Sequence, residues 1–327
     1  MLGALLAILA AATFGFNNVS VRRGVLSGSV GQALAITVPL GLPLFIIPAF
    51  LMGYLGEVGS ITLFQWVTLG TAGVLHFVWG RYWNYRAVRA IGSNLAGGFT
   101  QVQLVVALSA AMIFLGEVLT VVKIIGIAMT LAGPMIILYA HHGATKKVEG
   151  PVGFKPKMVE GGISAFLGAT GYGLSPVLVS AGLSGMGGIG AGVLGGFVSY
   201  AVSTAVVVIF LLVRPDQLRL ALSTDRTAAK WFVISGVAVW LSQFFRYLAL
   251  GIAPVTIVQP IQQLSVIFRM LFAWFLNRDY EVFDARAIIG IVVSFLGALL
   301  LASSTEIVNG LIPLPDGWNA MLAWHWP

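Results

Sequence analysis

Apolar runs about twenty residues long recur along the whole chain, each broken by charge, Gly or Pro. A helix of roughly twenty residues is about 30 Å long, the thickness of a bilayer's hydrocarbon core. The spacing therefore predicts ten membrane helices, near 2–20, 30–54, 63–89, 92–115, 119–140, 160–183, 187–213, 231–251, 254–277 and 285–303. Two stretches break the pattern, HHGATKKVEGPVGFKPKMVE at 141–160 and STEIVNGLIPLPDGWNAMLAWHWP at 304–327. They divide the chain into a first five-helix unit (1–140), a basic loop (141–159), a second five-helix unit (160–303) and an extramembrane tail (304–327).

The two units resemble each other. RYWNYRAV with GGFTQVQ in the third and fourth predicted helices lies over QFFRYLAL with QPIQQLS in the eighth and ninth, at an offset of 162 residues (81 to 243). In that register Arg81, Asn84 and Tyr85 fall on Gln243, Arg246 and Tyr247, and Thr100 and Gln101 fall on Gln262 and Gln263. GIAMTLAG (126–133) and GIVVSFLG (290–297) match again, each with glycines seven apart, and ATFGFNNVSV (12–21) matches TGYGLSPVLV (170–179) more loosely. Five helices per unit is an odd number, so the second unit enters the membrane in the opposite sense to the first. The expected fold is an all-α polytopic membrane protein, ten transmembrane helices in two inverted five-helix repeats. Such repeats place a binding site near the midplane and work by rocking one half against the other.

Composition agrees with a bilayer: 58% of residues are hydrophobic and 9% charged, against about 25% charged in soluble domains. Cysteine is absent, which excludes a disulfide framework and a thiolate metal site. The net charge of +7 is scattered through short loops rather than gathered on one face, so no nucleic-acid partner is expected. If loops alternate sides, fourteen Lys and Arg fall after the odd-numbered helices and one, Lys123, on the other side. The positive-inside rule then puts the odd loops in the cytoplasm of a cell (inner) membrane and both termini outside. A cleaved leader over residues 1–20 would need a basic start, which is missing.

None of the eleven acidic residues lies in the middle of a predicted helix, whereas Arg81, Arg246 and Arg269 do lie within helices, along with His76. A charged side chain at a helix centre costs about 2.5–3.5 kcal/mol on insertion scales. With no acid expected to pair them, these arginines call for amide carbonyls, water or a ligand anion, and a guanidinium fork suits carboxylate or phosphate. Gln243, Arg246 and Tyr247 stand at i, i+3 and i+4, as do Arg81, Asn84 and Tyr85; Gln259, Gln262 and Gln263 repeat the spacing. Each set shares one helix face. The expected substrate-binding set is Arg81, Asn84, Tyr85, Gln101, Gln243, Arg246, Tyr247, Gln259, Gln262, Gln263, Arg269 and Asn17. His76 lies about 140° from Arg81 around an ideal helix and is expected to be structural. Pro176 and Pro260, with Asn18 and Gly98 at the matching positions, mark weak helix where backbone could open. Ser184, Gly188, Gly192 and Gly196 form a small-residue stripe for close packing.

Ten helices in two inverted units resemble the drug/metabolite transporter superfamily and its EamA-type repeats. The likeness is carried by NYRAVRAIGSNLAGGFTQVQLVVALSAAMIFLGEVLTVVKIIGIAMTLAG (84–133), with its LGEVLT turn (115–120), and by RYLALGIAPVTIVQPIQQL followed by IIGIVVSFLG. It departs from the family at Gln103-Leu104, where Pro is frequent, and at NRDYEVFD (277–284), which replaces the second LGE turn. The resemblance implies a secondary transporter and no substrate in particular. The expected function is movement of a small polar metabolite, anionic if the arginines bind it, by alternating access. The alternative is a sugar or polyol importer with structural arginines. A remote alternative, an intramembrane serine protease, rests on GLSG around Ser184; it needs a histidine base on a later helix, and the only later histidine is His325 in the tail. The expected partners are a small-molecule substrate and the lipid bilayer, with a coupling ion and a homodimer left open. No cofactor, metal or enzyme activity is expected.

Overall fold

The described part of each of the ten stretches is mainly helical in the computed structural model, which describes residues 2–115, 121–143, 154–253, 255–281, 283 and 285–302. In chain order the helices are α1 (Leu2–Gly24), α2 (Val30–Thr37), α3 (Gly41–Leu51), α4 (Leu63–Gly73), α5 (Arg81–Thr100), α6 (Gln103–Leu115) and α7 (Val121–Gly143), then α8 (Met158–Leu183), α9 (Gly188–Val213), α10 (Pro215–Leu222), α11 (Arg226–Ile252), α12 (Val255–Gln262), α13 (Ser265–Leu276) and α14 (Ala285–Ala302). A π-helical stretch, Val74–Gly80, joins α4 to α5. All regular structure among the described residues is helical. Five helical stretches are long and apolar enough to cross a membrane on their own, Leu2–Gly24, Val30–Leu51, α8, α9 and α11. A sixth candidate, Tyr54–Ser60 with Leu63–Thr100, is bent by 113°. Residues 116–120 of the LGEVLT turn with Glu117, most of the central basic loop, and the tail with His325 lie outside the described residues.

Local sequence explains most ends and breaks. Ser29 with Gln32, and Thr62 with Gln65, form reciprocal capping boxes that start α2 and α4. Asp225 caps α11 by accepting from the backbone N–H of Thr227 at 2.9 Å. Gly92 interrupts α5 with φ 83° and ψ 166°, a conformation that L side chains rarely adopt. The second breaks are a matched pair. Regular helix is lost at Gln101–Val102 between α5 and α6, and at Gln263–Leu264 between α12 and α13, 162 residues apart (101 to 263). Both are bridged by short i→i−3 bonds, Val102 N–H to the Phe99 carbonyl (3.3 Å) and Leu264 N–H to the Ile261 carbonyl (3.1 Å). Pro260, which lacks an N–H, precedes the second break, and Gly98 holds the matching place before the first.

Packing follows the same pairing. α1 lies along α11 and continues onto α12 and α13; α8 lies along α4, the π stretch and α5 and continues onto α6. α3 packs on α9, and α7 packs on α14. Glycines permit the close approach. A Cβ on Gly290 would stand 2.8 Å from the Gly133 carbonyl, and one on Gly297 2.8 Å from the Gly126 carbonyl, so the glycines seven apart interlock α7 with α14. One buried cluster gathers around Tyr85, Ile91 and Phe232, another around Phe45, Phe77, Tyr200 and Tyr247. Large apolar side chains such as Phe50, Leu63, Met135, Phe166 and Phe210 are exposed, which suits contact with lipid rather than water.

Candidate functional site

A cavity lies between α1, α8, α11, α12 and the π stretch, lined among others by Phe14, His76, Gln103, Tyr172, Gln243, Arg246, Gln259, Gln262, Gln263 and Ser265. Its empty space totals about 400 Å³, of which about 40 Å³ is wide enough for a water-sized sphere to move in. That holds a few waters; a metabolite needs the walls to part. Of the expected site residues, Gln243, Arg246, Gln259, Gln262 and Gln263 line it. Gln103 and Ser265, which join them, are each the first residue after one of the matched breaks.

Arg246 is 3% exposed and, among the described residues, is the only arginine on the cavity. One terminal nitrogen donates to Gln243 Oε1 (3.1 Å) and faces His76 Nδ1 (3.2 Å); the other reaches Ser175 Oγ (3.5 Å). Ser175 Oγ stands 2.7 Å from the same Nδ1. Guanidinium has no acceptor atom, so the Nδ1 that faces it carries a lone pair and the imidazole proton sits on Nε2. The Tyr172 ring lies 4.6 Å from the imidazole, centroid to centroid. Gln103 Nε2 donates to Gln263 Oε1 at 3.2 Å, tying one break to the other.

The remaining expected residues are buried but do not line this cavity. Arg81 donates to the Thr37 carbonyl (3.0 Å) and to Tyr200 Oη (2.9 Å), with Phe77 beneath it. Arg269 donates to the Ser93 carbonyl at 3.1 Å and lies against Gly97. Asn17 Oδ1 accepts from Ser235 Oγ (2.7 Å) and Tyr85 Oη (3.3 Å), and Asn84 Nδ2 donates to Asn18 Oδ1 (2.8 Å). Tyr247 Oη donates to Ser199 Oγ at 2.8 Å, and Gln101 is buried with its Oε1 unpaired. The faces that helical spacing brings together are real, but the two triads meet different neighbours: Arg246 meets α8 and the π stretch, while Asn84 and Tyr85 meet α1.

Among the described residues one acid is buried outside the predicted helices, beside Arg22 rather than beside Arg81, Arg246 or Arg269. Glu281, expected in a loop, is 2% exposed. Its carboxylate accepts from Ser93 N–H (2.7 Å), Ser93 Oγ (2.6 Å) and Asn94 N–H (3.1 Å), just past the Gly92 break. It thus caps the helix that restarts there. Arg22 Nε lies 4.0 Å from Glu281 Oε1. Arg22 is itself a buried arginine that the loop reading did not separate out, 1% exposed, donating to the Val88, Arg89 and Tyr280 carbonyls. Burial pushes the Glu281 carboxyl up from the ordinary range, against the downward pull of Arg22, Ser93 and Asn94. A crevice of about 720 Å³ beside this cluster is lined by Arg22, Arg86, Arg89, Lys155, Lys157 and Glu160.

Sequence reasoning underrated His76, Ser175, Tyr172 and Gln103. The signal for Gln103 was its place two residues after Gln101, where the family often has Pro. Ser175 stands beside Pro176, already marked as weak helix. His76 and Arg81 serve different partners, Ser175 and Arg246 for the one, Thr37 and Tyr200 for the other. Cavity position depends on the π stretch, which apolar periodicity does not reveal. Ser184 sits exposed at the C-terminal cap of α8, and His76 is engaged by Ser175 and Arg246 instead.

Residues 1–139 match the family described as "EamA-like transporter family". No curated protein matches the chain. A solved structure titled "Crystal structure of protein" superimposes with a TM-score of 0.58 at 16% identity, over 91% of this chain and 94% of its own; at that identity it speaks for the fold alone. The first 139 residues of the chain are thus similar to the EamA-like transporter family.

Proposed function

We propose that the protein is a secondary transporter that carries a small polar metabolite through the Arg246 cavity by alternating access. Ten spans form two inverted five-helix units, 1–140 and 160–303, and the basic end faces the cytoplasm with both termini outside. Three features support the repeat: the breaks 162 residues apart, the exchange-related pairing of α1 with α11 and α8 with α5, and Gly15 and Gly173. A Cβ on Gly15 would lie 3.0 Å from the Ser265 carbonyl and one on Gly173 2.5 Å from the Gln103 carbonyl, first residues of matching half-helices. Broken helices at a repeat interface are where carriers place their substrates.

The observation that carries the reading is the clustering of Arg246, His76 and five glutamines around one buried space in a lipid-facing bundle. Polar groups at such depth are costly, and several here are left partly unpaired. A second reading, a sugar or polyol importer, draws on the other arginines: Arg81 and Arg269 are held by carbonyls and a tyrosine, leaving glutamines to bind hydroxyls. Purified protein screened by thermal shift against carboxylates, phosphates, sugars and amino acids, then reconstituted for uptake of the best hit, tests both. Arg246→Ala should lower saturable uptake at least about tenfold, the ~1.4 kcal/mol that one lost charge-assisted hydrogen bond accounts for. Undiminished uptake by a folded Arg246→Ala protein would remove the cavity from the pathway.

A further inference from the structure

The cavity's unpaired groups have one sign. Among the described residues that line it, the buried polar atoms without a partner are His76 Nε2, Arg246 Nε and Gln259 Nε2. All three are donors, given the tautomer that Arg246 forces on His76. Unpaired acceptors also occur, on Asn84, Asn94, Gln101 and Asn277, but none of those residues lines the cavity. A buried donor left unpaired keeps its full desolvation penalty, so a complementary ligand brings acceptor oxygens. Among the described residues the lining has no carboxylate to compete for them.

His76 adds a second property. Its Nδ1 lone pair is held by Arg246 and Ser175, and a proton cannot be added there while a guanidinium N–H points at it. The ionisable groups that bear on His76 are Arg246 from α11, Tyr172 from α8 and Arg81 from α5; α4, α1 and α12 contribute none among the described residues. Two cations and no anion surround the imidazole. An incoming carboxylate changes that balance.

Resting on the transporter reading above, we propose that the substrate is a small hydroxylated carboxylate and that His76 takes up one proton with it. The carboxylate draws the Arg246 N–H away from Nδ1. The freed lone pair accepts a proton from bulk water, giving an imidazolium that donates from Nδ1 to Ser175 Oγ or to the carboxylate and from Nε2 to a substrate oxygen. No bond other than N–H forms, and no other reactant is needed. When the carboxylate leaves on the far side, Arg246 turns back to Nδ1 and the proton leaves too. Anion and proton each favour the other's binding, and the linkage is reciprocal.

Calorimetry on the full chain in detergent tests this with lactate, glycerate and gluconate as probes, beside glycerol and sorbitol, between pH 6 and 8. At least one carboxylate should bind, with an affinity that rises up to tenfold per unit fall in pH. Titrations in two buffers of different ionisation enthalpy should show close to one proton taken up. His76→Gln should flatten the slope and remove the uptake, and Ser175→Ala, a second variant should that one fail to fold, should move the slope's midpoint. Carboxylate binding that ignores pH, a slope retained in His76→Gln, or no carboxylate binding at all overturns the proposal. Saturable, pH-independent uptake of a polyol by proteoliposomes would do so while leaving the carrier intact; absence of saturable uptake of any probe would remove the carrier reading itself.

Discussion

Substituting Gly92 by alanine probes how the basic end is held together. The residue has φ 83° and ψ 166°, and holding an L side chain there costs about 1–3 kcal/mol. The new methyl would also stand 2.6 Å from Glu281 Oε2. The carboxylate must shift, weakening the bonds from Ser93 and Asn94 that start the following helix; a hydrogen bond to a charged group contributes about 1.5–3 kcal/mol. Together Gly92→Ala should cost about 3–6 kcal/mol, a large share of the roughly 5–15 kcal/mol of a folded protein. Equilibrium unfolding in mixed micelles, followed by tryptophan fluorescence, measures it. Adding Glu281→Ala removes the collision but not the strain, so the double variant should fall short of additivity by about 1.5–3 kcal/mol. A Gly92→Ala protein within about 1 kcal/mol of the parent, or strictly additive losses, would refute this account of the break.

Arg81→Ala should leave the Thr37 carbonyl and Tyr200 Oη unpaired and cost about 2–5 kcal/mol in the same assay, with substrate affinity of the surviving protein unchanged; a selective loss of affinity would put Arg81 on the pathway. Glu281 gives a pH signature. Its folded pKa lies above the unfolded value, so its contribution is fully present below about pH 4.3 and lost as pH rises through the folded pKa. The melting temperature of the parent relative to Glu281→Gln should therefore rise between pH 7 and pH 5, and a relative fall would contradict the dominance of burial. Gly290→Val should pry α14 from α7, where even a Cβ would meet Ile137 Cγ1 at 2.7 Å, costing at least about 1–3 kcal/mol in unfolding; an unaffected protein would mean the helices can slide apart freely.

Helix positions were legible because a span in lipid must satisfy its own backbone and therefore announces itself as an apolar run. The register that lays Gln101 over Gln263 also aligns two breaks in regular helix, at 101–102 and 263–264. Which face meets which neighbour was not legible. Arg81 and Arg246 have similar spacing and depth, yet one is held by Thr37 and Tyr200 and the other faces His76, a difference set by the π stretch and by α2. Glu281 was hidden for another reason: a loop residue becomes buried only when the chain folds it onto a distant helix start, here Ser93, 188 positions away.

Two elbows 162 residues apart in the chain also bear on energetics. If each half can adopt the bend now held by the other, the molecule seen from the opposite side of the membrane presents the same set of joints. On the proposed alternating-access reading, open-in and open-out forms would then differ in free energy through side chains that break the match between halves, among them the Glu281 cap. Reversing the transport bias would in that case take a few local substitutions and leave the architecture alone.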